Sequence, residues 1–351
     1  MKVLLNGATN GTNFGDFLFA EAFQNRVAEV VGIDNVYWYD SRYALSDFFK
    51  MHLHYNKKYN LKEIDVLICV SGGYFCGNDR RLKDYVIRFL SYFNICMQCF
   101  RRNIPVAIIG VEVGIPKNVF MKMIQKYILD RAKIVVVRNE ESYKNLEKYG
   151  ISKGICTTDS AHAIVSNLNL PQKKNSASKK LFFHIDQNYS DDMESLIMPV
   201  NMFLDAHPEY EVFIGTDQTC RDWSIVEGIA QKVKCDRKTV LRYDYPTNLC
   251  DILNEMDFII TPKLHVGIVG ATLNKSVLSF SIHTEKIQRF YVQINESGRS
   301  VAINRITPQI AYSMMEKYHN IPINLDPEIV RTSNNNFCIL TQFLSEVDVN
   351  R

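Results

Sequence analysis

Several segments of this chain group fixed charge, glycine and short polar side chains in the way that anion-binding loops do. The densest is Thr261-Pro262-Lys263-Leu264-His265-Val266-Gly267-Ile268-Val269-Gly270-Ala271. Pro262 ends an apolar run, Lys263 and His265 flank a turn, and the small residues Gly267 and Gly270 let the helix that follows pack closely. An ammonium, an imidazole and the free N–H groups of a helix start are thereby gathered at one point, which suits a phosphate. Further on, Ser281-Ile282-His283-Thr284-Glu285-Lys286 supplies another cation, Lys286, after the next apolar run. A lone histidine is more often structural than catalytic, but a neighbouring lysine and a helix terminus turn His265 toward chemistry.

The N-terminal half offers glycine loops. Asn10-Gly11-Thr12-Asn13-Phe14-Gly15-Asp16 lies between an apolar run and a helical segment, where glycine permits close backbone approach and Asp16 can cap the helix or act as a base. It is neither a Walker loop nor a dinucleotide fingerprint, and a plain turn with an Asp cap accounts for it equally well. Ser71-Gly72-Gly73-Tyr74-Phe75 and Gly110-Val111-Glu112-Val113-Gly114-Ile115-Pro116 repeat the pattern after later apolar runs. In Val137-Arg138-Asn139-Glu140-Glu141-Ser142 an arginine leaves an apolar strand, so an anion must meet it, either a ligand or Glu140 or Glu141. Asp159, in Thr158-Asp159-Ser160-Ala161-His162, is placed to cap a helix or to reach a ligand. Cys96-Met97-Gln98-Cys99 has redox or zinc spacing without a second pair, so it reads as one helix face. No metal-ligand spacing is evident, and no metal is expected.

These loops need strands and helices to hold them. Short β-branched runs near 2–6, 35–39, 64–70, 104–109 and 133–137 alternate with helical segments near 15–31, 79–102, 118–131 and 140–149. That is the βαβ rhythm of a parallel sheet. A polar stretch with Pro171, Lys173, Lys174, Lys179 and Lys180 reads as a linker over 169–180. The rhythm then restarts, with strands near 181–185, 210–215, 257–261 and 276–280 and helices near 192–206, 222–232, 247–256, 265–273 and 286–294. The expected fold is α/β, with two doubly wound, Rossmann-like domains at 1–168 and 181–305 facing across a cleft in a GT-B-like architecture. A helical segment at 306–351 is expected to cross back to the first domain. Ligands of such sheets bind at the carboxyl ends of the strands.

Composition is that of an ordinary globular protein: 351 residues, 46% hydrophobic, 23% charged, with 41 basic against 38 acidic residues. A net charge of +3 without long single-sign runs excludes a dedicated nucleic-acid binder. The first apolar run is too short for a signal peptide, and the nine cysteines show no disulfide framework, so a cytoplasmic protein with reduced thiols is expected. The segment Tyr85 to Phe100 is apolar, flanked by Arg80, Arg81, Lys83, Arg101 and Arg102. It reads as a core helix with solvated ends or, alternatively, as an interfacial helix meeting anionic lipid.

Taken in order, these segments resemble the polysaccharide pyruvyltransferase family over roughly residues 3 to 295. Its Asn-x-Gly-Asp loop is similar to Asn13 through Asp16, its glycine pair to Gly72-Gly73, its Val-Arg-Asp-x-x-Ser element to Val137 through Ser142, its Asp-x-Ala to Asp159-Ser160-Ala161, and its Arg-Leu-His to Lys263-Leu264-His265. Two departures stand out, Asn139 for an acid and Lys263 for an arginine. The resemblance implies a ketal pyruvyltransferase of bacterial surface-polysaccharide synthesis. Phosphoenolpyruvate would be the donor substrate, with no further cofactor, and a 4,6-ketal on galactose or a related hexose the product. The acceptor would be free or linked to undecaprenyl at the inner face of the plasma membrane. Arg138, Lys263, Lys286 and Gly267 would hold the donor. Asn13, Gly15, Asp16, Gly72, Gly73 and Tyr74 would hold the acceptor, with His265 as general acid and Asp16 and Asp159 as candidate bases. A sugar-nucleotide glycosyltransferase and a non-catalytic glycan-binding relative remain the other readings, and oligomeric state stays open.

Overall fold

The computed structural model describes residues 1–349 apart from 42, 57, 78–80, 172–177 and 220–222. The first residues of the expected helices at 79–102 and 222–232, and most of the expected linker with Lys173 and Lys174, lie outside the described residues. The chain divides into two compact units. One comprises Met1–Ile164 with Glu328–Arg351, the other Val165–Pro327.

The first unit is built on strands β1 (Val3–Asn6), β2 (Val36–Trp38), β3 (Val66–Cys69), β4 (Gly72–Phe75), β5 (Val106–Val113), β6 (Ile134–Val137) and β7 (Gly154–Cys156). Every pairing is parallel, in the order β2-β1-β3-β5-β6-β7 with β4 on β5. Runs such as Val66–Cys69 and Val106–Val113 are buried along their whole length, as strands covered on both faces must be. The second unit holds β8 (Lys179–His184), β9 (Tyr210–Gly215), β10 (Lys238–Val240), β11 (Phe258–Thr261), β12 (Ser276–Ser281) and β13 (Ser300–Ala302). These are again all parallel, ordered β10-β9-β8-β11-β12-β13. The α/β class with two doubly wound sheets is therefore the observed one.

Several local expectations are corrected. Gly72 to Phe75 and Gly110 to Val113 are strand rather than loop: β4 carries on alongside β5 where β3 stops. Gly110, at φ 68°, sits where the β5–β6 register shifts between Ile108 and Val111, a bulge that left-handed glycine backbone permits. The segment expected as one helix over 79–102 runs from Leu82 to Arg101 through a π turn at Phe89–Phe93. Strands β10 and β13 are short, and β10 is largely exposed, so no apolar run marks them. The terminal segment divides: the helix Pro308–Tyr318 belongs to the second unit, while the helix Pro327–Val349 belongs, from Glu328 on, to the first. There Asn336 donates to the Thr158 carbonyl at 3.0 Å and Thr157 donates to Asn336 at 2.9 Å.

Candidate functional site

In the second unit the strand order reverses between β8 and β11, which is where doubly wound sheets open a crevice. The two strand ends are joined by side chains: His184 Nδ1 lies 2.7 Å from Thr261 Oγ1, and His184 Nε2 lies 3.3 Å from Asp217 Oδ1 beyond β9. All three are buried. Asp186, just past β8, pairs with Lys263 Nζ at 2.9 Å. Lys263 occupies the N-cap of the helix Leu264–Thr272, and its N–H donates to Thr261 Oγ1 at 3.1 Å.

Burial opposes charge on both Lys263 and Asp217, but the charges support each other. Desolvation lowers the Lys263 pKa, yet Asp217 and then Asp186 outweigh it and the value ends above that of a free lysine. Desolvation likewise raises the Asp217 carboxyl, and the Lys263 ammonium, followed by the His184 contact, brings it down to about 2. The exposed His283 imidazole, edge-on to Tyr189 at 5.9 Å, sits at the start of the helix Thr284–Gln293. Partial desolvation depresses its pKa, and repulsion from Lys263 and from Lys286 depresses it further. Lys263 and Lys286 thus act on the same imidazole, and His265 stands half-buried in the first turn of the helix that Lys263 caps. Asp186 and Asp217 balance the Lys263 ammonium, while Lys286 and the start of the helix Leu264–Thr272 add positive potential on the same rim, an arrangement able to meet a phosphorylated anion.

Gly267 has a different role from the expected one. Its N–H donates to the Lys263 carbonyl inside the helix, and a side chain there would come within 3.2 Å of Tyr291 Oη, so it serves packing. His184, Asp186, Asp217 and His283 carry the network, and none of them is among the site residues expected from the sequence. A signal for His184, Asp186 and Asp217 exists: they stand close behind the apolar runs Leu181-Phe182-Phe183 and Phe213-Ile214, the same strand-end rule that exposes Lys263.

In the first unit, Arg138 requires the largest correction. Its guanidinium is buried between two carboxylates, with NH2 on Glu112 and NH1 on Asp159 Oδ2 at 2.8 Å. Desolvation is the largest influence, but Glu112 and then Asp159 outweigh it and hold the cation even more firmly charged. The partners anticipated in sequence, Glu140 and Glu141, are replaced by ones from β5 and from the turn after β7. An arginine so enclosed fastens strand ends together and is not a donor ligand. Asp159 is correspondingly a poor base: one oxygen meets Arg138 and the other accepts the Ala161 N–H at 3.0 Å. Asn139, where the family pattern has an acid, caps the helix Glu140–Lys148 by accepting from Ser142 N at 2.8 Å, a task asparagine and aspartate perform alike.

Tyr74 is also packing. It is buried, donates to the Val70 carbonyl at 2.6 Å and stacks on Tyr92 at 4.7 Å, so its face is closed to a sugar. Asn13 caps the helix Phe14–Val31 by accepting from Gly15 N and Asp16 N at 2.8 and 3.2 Å, which leaves Asp16 half-buried in the first turn. Gly72 and Gly73 lie within β4. An open pocket of about 480 Å³ lies nearby at the carboxyl ends of β1 and β2, lined among others by Asn10, Asp40, Tyr43, Asp47 and Lys50. Lys50 Nζ meets Asp40 at 3.1 Å, and Tyr92 donates to Asn10 at 3.0 Å. Carboxylates, an amide and an aromatic ring around an open hollow suit a sugar's hydroxyls and apolar face.

A group able to ligate a cation lies at the other end of the second sheet, His207, Glu316 and His319. His207 Nε2 is 2.9 Å from Glu316, and His319 Nδ1 is 3.2 Å from Tyr210 Oη. These contacts already join the helices Ile197–Ala206 and Pro308–Tyr318 through hydrogen bonds.

Residues 13–284 match the family described as Polysaccharide pyruvyl transferase. The chain belongs to this family. It is accordingly a transferase, and the family implies a sugar or polysaccharide acceptor. A search of curated proteins finds no significant match. Among solved structures, similar ones include the S. aureus MnaA-UDP co-structure, at 13% identity and TM-score 0.67, covering 98% of this chain and 97% of that one. The Neisseria meningitidis UDP-GlcNAc 2-epimerase bound to UDP-GlcNAc is 12% identical with TM-score 0.63, covering 98% and 100%. The Methanocaldococcus jannaschii enzyme in complex with UDP-GlcNAc and UDP is 13% identical with TM-score 0.62, covering 97% and 100%. At such identities the likeness concerns the fold, the GT-B-like pair of parallel-sheet α/β domains.

Proposed function

We propose that this pyruvyltransferase moves the three-carbon unit of phosphoenolpyruvate onto two hydroxyls of a hexose, forming a cyclic ketal in the synthesis of a bacterial capsule or exopolysaccharide. The observation that carries the reading is the cluster at the ends of β8 and β11, where Lys263 caps the helix that bears His265 and its ammonium meets Asp186 at 2.9 Å. A donor with about three negative charges would meet the helix start and Lys286 there and would compete with Asp186 for the Lys263 ammonium. Binding of the anion would also offset the repulsion that depresses His283, turning it toward a charged hydrogen-bond donor.

In the proposed reaction His265, as imidazolium, gives a proton to the donor methylene, and C2 becomes electrophilic. The first sugar hydroxyl attacks C2, the C2–O bond to phosphate breaks, and the second hydroxyl closes the ring. Two hydroxyl protons are lost. One replaces the proton now on the methyl group, and the other leaves with phosphate. Asp16 is the remaining carboxylate candidate for accepting a hydroxyl proton. The acceptor, galactose or a related hexose in its 4,6-diol form, fits the hollow lined by Asn10, Asp40, Tyr43 and Asp47.

Incubation with phosphoenolpyruvate and a galactoside, read by mass spectrometry and phosphate release, should give an acceptor heavier by one pyruvyl ketal. His265→Ala should abolish product while leaving the melting temperature unchanged; a near-wild-type rate in that variant rejects its role. UDP-sugars form the control arm, because the structural neighbours carry UDP or UDP-GlcNAc. Glycosyl transfer from them without pyruvyl transfer would replace this reading by the glycosyltransferase one.

A further inference from the structure

The helix Val119–Arg131 presents two apolar faces where a globular helix needs one. At 100° per residue, the buried residues Met121, Gln125, Ile128 and Leu129 fall on one side and pack into the unit's core. Val119, Phe120, Met123 and Tyr127 fall together on the other side and are 66%, 76%, 63% and 40% exposed, with exposed Asp130 on the same side in the last turn. Exposed Lys122 lies along the edge of that outer face, with exposed Lys117 just before the helix and Lys126, which donates to the Tyr149 carbonyl, one turn on. The helix Leu82–Arg88, which runs into the π turn Phe89–Phe93 packed against Val119–Arg131, adds Leu82 at 74% and Val86 at 50% exposure, with Lys83 between them. Across residues 81–88 and 117–131 the lysines and arginines are opposed in sequence by only two acids, Asp84 and Asp130. A chain of net charge +3 thus gathers much of its excess positive charge around its exposed apolar side chains.

We infer that this face docks on the surface of an anionic bilayer, with Phe120, Met123 and Leu82 entering the headgroup boundary and the lysines meeting lipid phosphates. Large apolar side chains rimmed by lysine match a surface that is apolar below and negative above. A protein partner would more often be met by a patch with mixed charge at its rim. The face is also in a useful place. Both helices start at the carboxyl-end rim of the sheet, after β4 and β5, and Ile87, on the helix that bears Leu82 and Val86, lines the hollow at the ends of β1 and β2. A sugar carried on a lipid would therefore be presented beside that hollow. The interfacial residues differ from those anticipated in the sequence: Tyr85, Phe93, Cys96 and Phe100 of the long apolar segment are buried core, and the lipid-facing side chains come mainly from the next helix. No helix among the described residues is long and apolar enough to cross a membrane, so the contact is peripheral.

The test is co-sedimentation with vesicles, which needs neither donor nor acceptor and so stands apart from the proposed activity. The wild type should bind vesicles of 30% phosphatidylglycerol in phosphatidylcholine (roughly the anionic content that gives a negative surface potential) and bind neutral vesicles weakly. Raising salt to about 0.5 M should loosen it. Phe120→Ser with Met123→Ser should lower the bound fraction about tenfold at an unchanged melting temperature, since both side chains are exposed. Lys117→Gln with Lys122→Gln should remove the preference for anionic lipid. Failure of the wild type to bind anionic vesicles overturns the inference, as does equal binding by the Ser variant. A shift from dimer to monomer in the Ser variant, without vesicle binding by the wild type, would assign the face to a second copy of the chain instead.

Discussion

Replacing Arg138 by methionine separates a structural arginine from a ligand-binding one. Arg138 is enclosed by Glu112 and Asp159, and all three side chains are less than a tenth exposed. Removing the cation leaves two buried carboxylates facing a thioether, and breaking a buried pair from one side typically costs about 3–5 kcal/mol. Set against a usual total of roughly 5–15 kcal/mol, this is a large share of the first unit's stability. With a urea dependence of about 2 kcal/mol per molar, the midpoint for that unit should fall by about 2 M. The pH dependence carries a sign as well. Without Arg138 the carboxyls gain a folded-state pKa above their unfolded value, so the folded variant binds more protons than the unfolded chain and becomes more stable as pH falls from 7 toward 5. Adding Glu112→Gln to Arg138→Met should restore part of the loss. Urea titrations at pH 7 and pH 5 read all three effects. A midpoint within about 0.5 M of wild type, together with a raised requirement for phosphoenolpyruvate, would refute the structural assignment and return Arg138 to the donor site.

Other perturbations probe separate elements. His162 is buried and desolvation depresses its pKa from 6.5 to about 4, only partly countered by Asp159. The unfolded chain then binds more protons between those values, so stability is present above pH 6.5 and drains away on acidification toward pH 4, by a total on the order of 3 kcal/mol. His162→Gln should flatten the fall in urea midpoint between pH 6.5 and 4.5, and an unchanged slope would contradict that origin. Gly110→Ala places a methyl carbon 2.2 Å from Ser71 Oγ and 2.7 Å from Ser160 Oγ at φ 68°. Strain and displacement together should cost about 2 kcal/mol or more and lower the melting temperature by roughly 5 °C. A melting curve that overlays the wild type would show that the bulge relaxes freely.

Fold class was legible because the central strands of both sheets are buried, largely apolar runs, such as Val66–Cys69 and Phe258–Thr261, and such runs demand helices on both sides, whereas the edge strands β10 and β13 carry no such mark. Family membership was legible for a related reason: motifs like Lys263-Leu264-His265 sit at strand ends, where polar groups break the apolar pattern and their order along the chain can be read. The chain alone could not assign partners. Arg138 lies beside Glu140 and Glu141 in sequence, yet Glu112 and Asp159 reach it, because parallel strands bring together ends that are far apart along the chain. Tyr74 likewise reads as available for stacking in the sequence, whereas the π turn at Phe89–Phe93 delivers Tyr92 against its ring. The amino-acid sequence thus determined which residues form strands and where polar groups emerge from them. Only the tertiary structure decided which of those groups enclose one another, as around Arg138, and which, like Lys263 with Asp186, join one strand end to the next. The physical reason is that Coulombic interactions and burial depend on distances through space, and spacing along a doubly wound chain does not encode those distances.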